Sequence, residues 1–182
     1  MGARVALLRG INLGLNRRVA MPALREAFAA AGFDVVRTYV QSGNVVLSSD
    51  AAPEELEDEC ERLIGERFGF EVGVIVRTRD QLANVVKRNP LGDVAVNPKR
   101  YQVSFLAAEL DPERAGELAE LAELAAPAER FVVLGRELYA WHPEGVARSR
   151  LWAKLAGTGL GVKATARNWT TVTTLLAMAD ER

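Results

Sequence analysis

Arginines, amides and glycines crowd two short stretches of an otherwise ordinary chain. An apolar run through Val5 to Leu8 ends Arg9-Gly10-Ile11-Asn12-Leu13-Gly14, and a second run from Val35 ends Gln41-Ser42-Gly43-Asn44. Glycine lets backbone approach a ligand closely, arginine forks onto phosphate or carboxylate oxygens, and amides orient what they hold. Arg17, Arg18 and Met21-Pro22 follow the first stretch, so the N-terminus of a helix, with free N–H groups and a partial positive charge, comes next. No Gly-Lys-Ser/Thr and no Gly-x-Gly-x-x-Gly is present, so this is neither a P-loop nor a dinucleotide fingerprint. The chemistry these residues offer is recognition of an anion. A third cluster, Ala164-Thr165-Ala166-Arg167-Asn168-Trp169-Thr170-Thr171, sets an arginine beside an indole, which suits an anion or a flat ring.

Each cluster also has a plain structural use. Gly10 and Gly14 can supply turn geometry, with Asn12 bonding to the backbone. Ser42-Gly43 suits a two-residue hairpin turn, and Asn168 or Thr170 can cap the helix that follows, with Trp169 as a hydrophobic staple.

Catalytic groups are scarce. Cys60 falls on the apolar face of a helix pattern and His142 precedes Pro143 at a strand end, and these are the chain's one cysteine and one histidine. No zinc or iron cluster can be built from them, no disulfide can form, and no Ser or Asp is tied to His142 as a hydrolase triad requires. Asp34 and Asp50 fall at the sheet end away from the polar clusters, so no carboxylate dyad serves that edge. Any chemistry there rests on arginine, amide and hydroxyl groups positioning a reactive substrate, and the sequence does not decide between a binder and an enzyme.

The elements that would position these groups follow from periodicity. Strands are expected at Arg4 to Gly10, Val35 to Gln41, Asn44 to Ser48 and Val72 to Val76, with helices at Met21 to Ala31 and from Pro53 onward. That β-α-β-β-α-β order is the ferredoxin-like plan. If the first helix is a crossover, the first two strands run parallel and both polar clusters emerge at one sheet edge, with Asn44 near Arg9. An extra helix is expected at Thr78 to Arg88. The order then restarts, with a strand at Tyr101 to Ala107, a helix from Asp111 to Leu124, a hairpin of Arg130 to Leu134 and Glu137 to Trp141, and helices at Ser149 to Leu155 and Thr170 to Glu181. The expected fold class is α+β, two ferredoxin-like halves with antiparallel sheets, the second modified and ending in an extra helix. The expected domains are 1–88, a linker at 89–100 punctuated by Asn89-Pro90 and Asn97-Pro98, and 101–182. Val5 and Leu7 point to one face of the first strand and Ala6 and Leu8 to the other, so both faces need cover.

The chain has 182 residues, 49% of them apolar, and a net charge of −1, which excludes a surface devoted wholly to nucleic acid. Charge is unevenly placed. Residues 1–49 carry six arginines against Glu26 and Asp34, residues 50–71 carry nine acids against Arg62 and Arg67, and residues 109–129 carry seven acids against Arg114. From Val146 to Ala179 there are five basic residues and no acid. Such blocks often mark solvated faces that pair across a fold. No run approaches a membrane span and no signal peptide is evident, so a cytoplasmic protein with no membrane partner is expected.

Leu8-Arg9-Gly10-Ile11-Asn12 with Gly14, Arg18 and Met21, Thr38-Tyr39-Val40-Gln41-Ser42-Gly43-Asn44-Val45, Arg148-Ser149, and Ala164 to Val172 together resemble the bacterial family filed as domain of unknown function 1697. The resemblance implies two ferredoxin-like halves and supplies no activity, substrate or cofactor. One departure is Gly14-Leu15-Asn16, where the family pattern has a second glycine after Gly14.

The residues themselves point to one cleft for a small anionic ligand, a nucleotide or phosphorylated metabolite. Arg9, Arg18 and Arg167 would neutralise it, Asn12, Gln41, Ser42, Asn44 and Asn168 would orient it, and Trp169 would stack on a ring. No metal or cofactor is expected, and the chain would act as a monomer or homodimer. The competing readings are a module for RNA or single-stranded nucleic acid and a noncatalytic interaction protein.

Overall fold

The computed structural model describes residues 1–13, 17–121, 127–155 and 157–181, so Gly14, Leu15, Asn16 and the expected helix end at Leu124 lie outside the described residues. The chain is mixed α/β, with two four-stranded antiparallel sheets. It divides into two compact units, Met1–Asn84 with Thr174–Arg182, and Val85–Thr173. The divisions fall inside helices α3 (Arg79–Arg88) and α6 (Trp169–Asp180).

In the first unit, β1 (Gly2–Leu8), α1 (Met21–Ala30), β2 (Asp34–Tyr39), β3 (Asn44–Ser49), α2 (Pro53–Phe68) and β4 (Val74–Thr78) succeed one another, and the sheet order is β2-β3-β1-β4. The central strand β1 is apolar on both faces, and Val5, Ala6, Leu7 and Leu8 are all buried. Ala6 and Leu8 join Val45, Leu47, Val74 and Val76 beneath α1 and α2, where Leu24, Phe28, Leu56, Cys60 and Ile64 close the core. Burying each large aliphatic side chain contributes about 1.5 to 3 kcal/mol, so this face alone fixes the register. α1 starts at Met21-Pro22 with no side-chain cap at Ala20, while α2 starts at Pro53 and ends on Gly69 in the left-handed region (φ 77°).

The acidic block has a structural task. The edge strand β4 donates Val74 N–H to Glu61 Oε1 and Val76 N–H to Glu57 Oε1, each at 2.8 Å, so two glutamates of α2 close an edge that would otherwise offer open backbone. The sheet face away from α1 and α2 is also buried at Val5, Leu7, Val46, Ile75 and Arg77. Within this unit, part of its cover is the end of α6. Arg37, in the row Arg37, Val46, Val5 and Arg77 across the sheet, donates to Met178 O and pairs with Glu181, and Arg79 Nε meets Asp180 Oδ1 at 2.6 Å.

The second unit repeats the connectivity. β5 (Tyr101–Leu106), α4 (Pro112–Leu121), β6 (Arg130–Leu134), β7 (Glu137–Trp141), α5 (Arg150–Leu155) and β8 (Ala164–Asn168) form a sheet in the order β6-β7-β5-β8. β8 departs from the sequence expectation, which placed 164–168 in the approach to the last helix. Ala-Thr-Ala-Arg-Asn carries too little apolar or β-branched character to read as a strand, and pairing with β5 imposes the extended form. One face packs Leu106, Leu118, Leu138, Ala140, Leu151 and Leu155, and the other buries Tyr101, Val103, Phe105 and Tyr139. Tyr139 Oη donates to Val85 O at 3.1 Å. Among the described residues no helix is long and apolar enough to cross a membrane.

Arg37 is the test of how α6 is held. Its ion pair with Glu181 is exposed and contributes little, whereas its bond to the carbonyl of Met178 satisfies a helix C-terminus. Arg37→Ala is expected to lower unfolding free energy by about 1 to 3 kcal/mol, and Glu181→Gln by less than about 1 kcal/mol. Urea denaturation measures both, and faster amide exchange over 174–180 in Arg37→Ala locates the loss.

Candidate functional site

Three backbone segments meet where β1 ends. Leu7 is paired with Asn44, Leu8 N–H donates to Gly43 O, and Arg9 N–H donates to Gly73 O, both at 2.8 Å. The loop after β1 is folded back on itself by Asn12. Its backbone N–H donates to Arg17 O (3.0 Å), its Oδ1 accepts from Val19 N–H (2.9 Å), and its Nδ2 donates to Val19 O (2.9 Å) and to Gln41 O (2.7 Å). Asn12 therefore ties the β1–α1 loop to the β2–β3 turn. Both hydrogens of its amide are committed to the chain.

The β2–β3 turn is equally determined. Asn44 is fully buried, and its Nδ2 donates to Tyr39 O and Ser42 Oγ, both at 3.0 Å. Gly43 has φ 73°, and a Cβ there would lie 2.7 Å from Leu8 Cβ and 2.8 Å from Ile11 Cδ1. No larger residue fits, whatever its conformational preference. Six of the singled-out residues, Arg9, Asn12, Arg18, Gln41, Ser42 and Asn44, thus come together in the first unit.

What these contacts leave over is charge. Arg37, Arg62, Arg79 and Arg114 all pair with carboxylates. Among the described residues Arg9, Arg17 and Arg18 have no ion pair and no side-chain hydrogen bond, with Arg9 half-buried and the other two exposed. Arg17 sits inside the same motif, although the sequence alone does not single it out as a ligand group. Its Nη1 lies 4.0 Å from where a Cβ of Gly10 would be, which brings its guanidinium over the glycine next to Arg9. The following helix has no acid in its first turn, so its positive end is uncompensated as well. The exposed side chain of Gln41 has no hydrogen bond among the described residues.

Arg167, Asn168 and Trp169 come together in the second unit. Arg167 is buried opposite Val103 and donates from Nη1 to Thr165 Oγ1 (2.8 Å) and Ala166 O (2.7 Å). Burial lowers its pKa to about 10, which leaves it cationic at neutral pH. Asn168 Oδ1 accepts from Thr171 N–H at 2.9 Å, the capping bond of α6. Trp169 is half-buried and stacks on Tyr101, with ring centroids 4.9 Å apart and planes at 25°.

The same unit holds a pair that no sequence motif signalled. His142 Nδ1 lies 2.8 Å from Glu129 Oε1, both side chains are buried, and Nε2 has no hydrogen-bond partner among the described residues. Facing a carboxylate, Nδ1 carries the proton, and Trp152 meets the imidazole edge-on at 5.2 Å. Hairpin register was the available signal: Arg130 pairs with Trp141, so Glu129 and His142 are the next positions outward. Cys60 is buried and its thiol is pushed far up by burial first and then by Glu59, Glu57 and Glu61, so it is not a nucleophile. Among the described residues no group of His, Cys, Asp and Glu could hold a metal ion.

A family model described as "Protein of unknown function (DUF1697)" matches residues 1–139. The Arg167-Asn168-Trp169 cluster lies beyond the matched span. Among solved structures, the chain is similar to the conserved bacterial protein SP0830 from Streptococcus pneumoniae, with 20% identity, a TM-score of 0.75 and 98% of each chain covered, a likeness of fold. No curated protein matches.

Burial holds the His142 pKa below 6.5 against the opposing pull of the Glu129 hydrogen bond and charge. Below that value the unfolded chain takes up a proton that native His142 refuses, so stability falls as pH falls. The loss develops as pH falls from about 7.5 to about 5.5, through the ordinary histidine range, and is on the order of 1 kcal/mol. Urea denaturation at the two pH values should show the loss in the native chain and a flatter profile in His142→Gln. An identical profile in the variant assigns the pH dependence elsewhere.

Proposed function

The chain belongs to the DUF1697 family of proteins of unknown function, and we propose that the loop end of its first unit binds a small anionic ligand, a nucleotide or phosphorylated metabolite. The observation that carries this reading is the set Arg9, Arg17 and Arg18, three guanidinium groups without a carboxylate partner among the described residues, on a loop that Asn12 clasps to the neighbouring turn. Three arginines on one short connection, with no ion pair among the described residues, give that connection a local excess of positive charge, which attracts an anion.

Backbone strain supports the same place. Non-glycine residues in the left-handed region are uncommon, and Asn12 (φ 55°), Arg17 (φ 55°) and Val40 (φ 50°) all belong to these two connections. Such strain concentrates at sites where ligands are held. In this arrangement the three arginines neutralise the anion, the Gln41 amide orients it, and Asn12, Ser42 and Asn44 keep the two connections in place. The reading rests on the first unit alone.

Both sheets share the order second, third, first, fourth strand, and on that basis we read each half as ferredoxin-like and the chain as a duplication of topology. Single-stranded RNA on a sheet of this kind needs exposed strand aromatics. Tyr101, Phe105 and Tyr139 are 1%, 1% and 0% exposed, which favours the small-anion reading.

A thermal-shift screen with nucleotides, sugar phosphates, phosphate and sulfate tests the proposal. A ligand at 100 times its Kd adds about 2.7 kcal/mol, or a few degrees, and a phosphate-bearing compound should raise the midpoint by that order. Arg9→Ala and Arg18→Ala should each abolish most of the gain while leaving the unliganded midpoint within about 1 °C, since neither side chain holds the fold. No shift from any anion would defeat the proposal.

A further inference from the structure

Val40 is a poor residue for its position unless its side chain is used. A β-branched residue at φ 50° is a conformational outlier, and glycine or asparagine would make the same turn with less strain. Packing does not explain the valine, because the residue is 51% exposed. Across the Asn12 to Gln41 hydrogen bond, in the connection that faces this turn, Leu13 is 77% exposed. The described residues show six large exposed hydrophobics, Met1, Leu13, Val35, Val40, Val94 and Val96; Leu13 lies on the connection that carries the three arginines, and Val40 on the one tied to it through Asn12 and Gln41. Val35 also has a left-handed backbone, but it lies at the opposite end of β2 beside Asp34, away from that charge.

Aliphatic surface and guanidinium groups side by side suit a ligand built the same way. Building on the anion-site reading, we infer that the ligand is a nucleotide: its phosphate lies against Arg9, Arg17 and Arg18, and its base lies against Leu13 and Val40. A sugar phosphate is polar over its whole body and gains nothing from these two side chains. A base is flat and largely apolar on its faces, and it covers them. The strain at Val40 is then retained for the contact it makes when the site is filled.

Titration calorimetry of the full chain with AMP, ribose 5-phosphate and inorganic phosphate tests this, using the native chain, Leu13→Ser, Val40→Ser and Arg18→Ala. The native chain should bind AMP at least about tenfold more tightly than ribose 5-phosphate. Leu13→Ser and Val40→Ser should bring AMP down to about the affinity of ribose 5-phosphate and leave the latter within about twofold, as loss of a purely apolar contact requires. Val40→Gly, which relieves the strain, should raise the thermal midpoint while weakening AMP to the same extent. Equal affinity for AMP and ribose 5-phosphate, with both lost in Arg18→Ala, overturns this inference and leaves the anion site standing. Failure of all three compounds to bind overturns both.

Discussion

Burial of a central strand on both faces is the constraint from which the architecture follows. β1 presents Val5 and Leu7 to one side and Ala6 and Leu8 to the other, and none is more than 1% exposed. A single layer of helices can satisfy only one of those faces. The end of α6 accordingly takes part in covering the other face of the first sheet, held by Arg37 and Arg79, and β5 is buried on both sides in the same way. Because β1 is central, its end is fixed from both neighbours, at Gly43 and at Gly73, before any loop residue contributes. That rigidity gives the connections at this end a firm base.

Asparagine does most of the remaining positioning. Asn12 and Asn44 lie on facing connections, and each spends its amide on backbone carbonyls or a neighbouring hydroxyl. The division of labour that results is chemical. Short polar side chains tie the loops, and long cationic ones are left to act outward. An amide can donate and accept in one plane and so can clasp two segments, whereas a guanidinium only donates and is held best by an anion. If nothing in the chain supplies that anion, a ligand can.

Much of this was legible in the sequence, for identifiable reasons. The hairpin at Gly135-Arg136 and the helix starts at Pro22 and Pro53 are local signals with local causes, and the structure places them where the residues predict. The meeting of Asn44 with the end of β1 follows from the strand order that the element sequence implies, which sets the third strand beside the first. β8 was not legible, because its five residues take their form from β5 and not from their own preference. The acidic run of α2 read as a solvated face, and Glu57 and Glu61 instead cap the backbone of an edge strand, a partner that lies 19 and 13 residues away in sequence. Trp169 and Asn168 looked available for a ligand. The partner that occupies one face of the indole, Tyr101, is distant in sequence, and the cap at Asn168 was only one of two that the residues allowed.

Charge blocks turn out to be of two kinds, and the distinction bears on function. Where an acid stands opposite a backbone donor or an arginine, as at Glu57 or at Asp180, the charge is consumed by the fold. Arg9, Arg17 and Arg18, on a loop with a left-handed backbone at Asn12 and Arg17, have no ion pair among the described residues, so their charge is not consumed in this way. Arg167 marks the boundary between the two. It is as basic as Arg9 in sequence terms, but it is buried and bonded to Thr165 and Ala166, and desolvation lowers its pKa. A buried guanidinium needs its partners to be tolerated at all, while an exposed one is satisfied by water and keeps its charge free to act outward. The charge of Arg167 is therefore consumed within the second unit, whereas Arg17 and Arg18, solvated at the loop end of the first, keep theirs accessible to an anion.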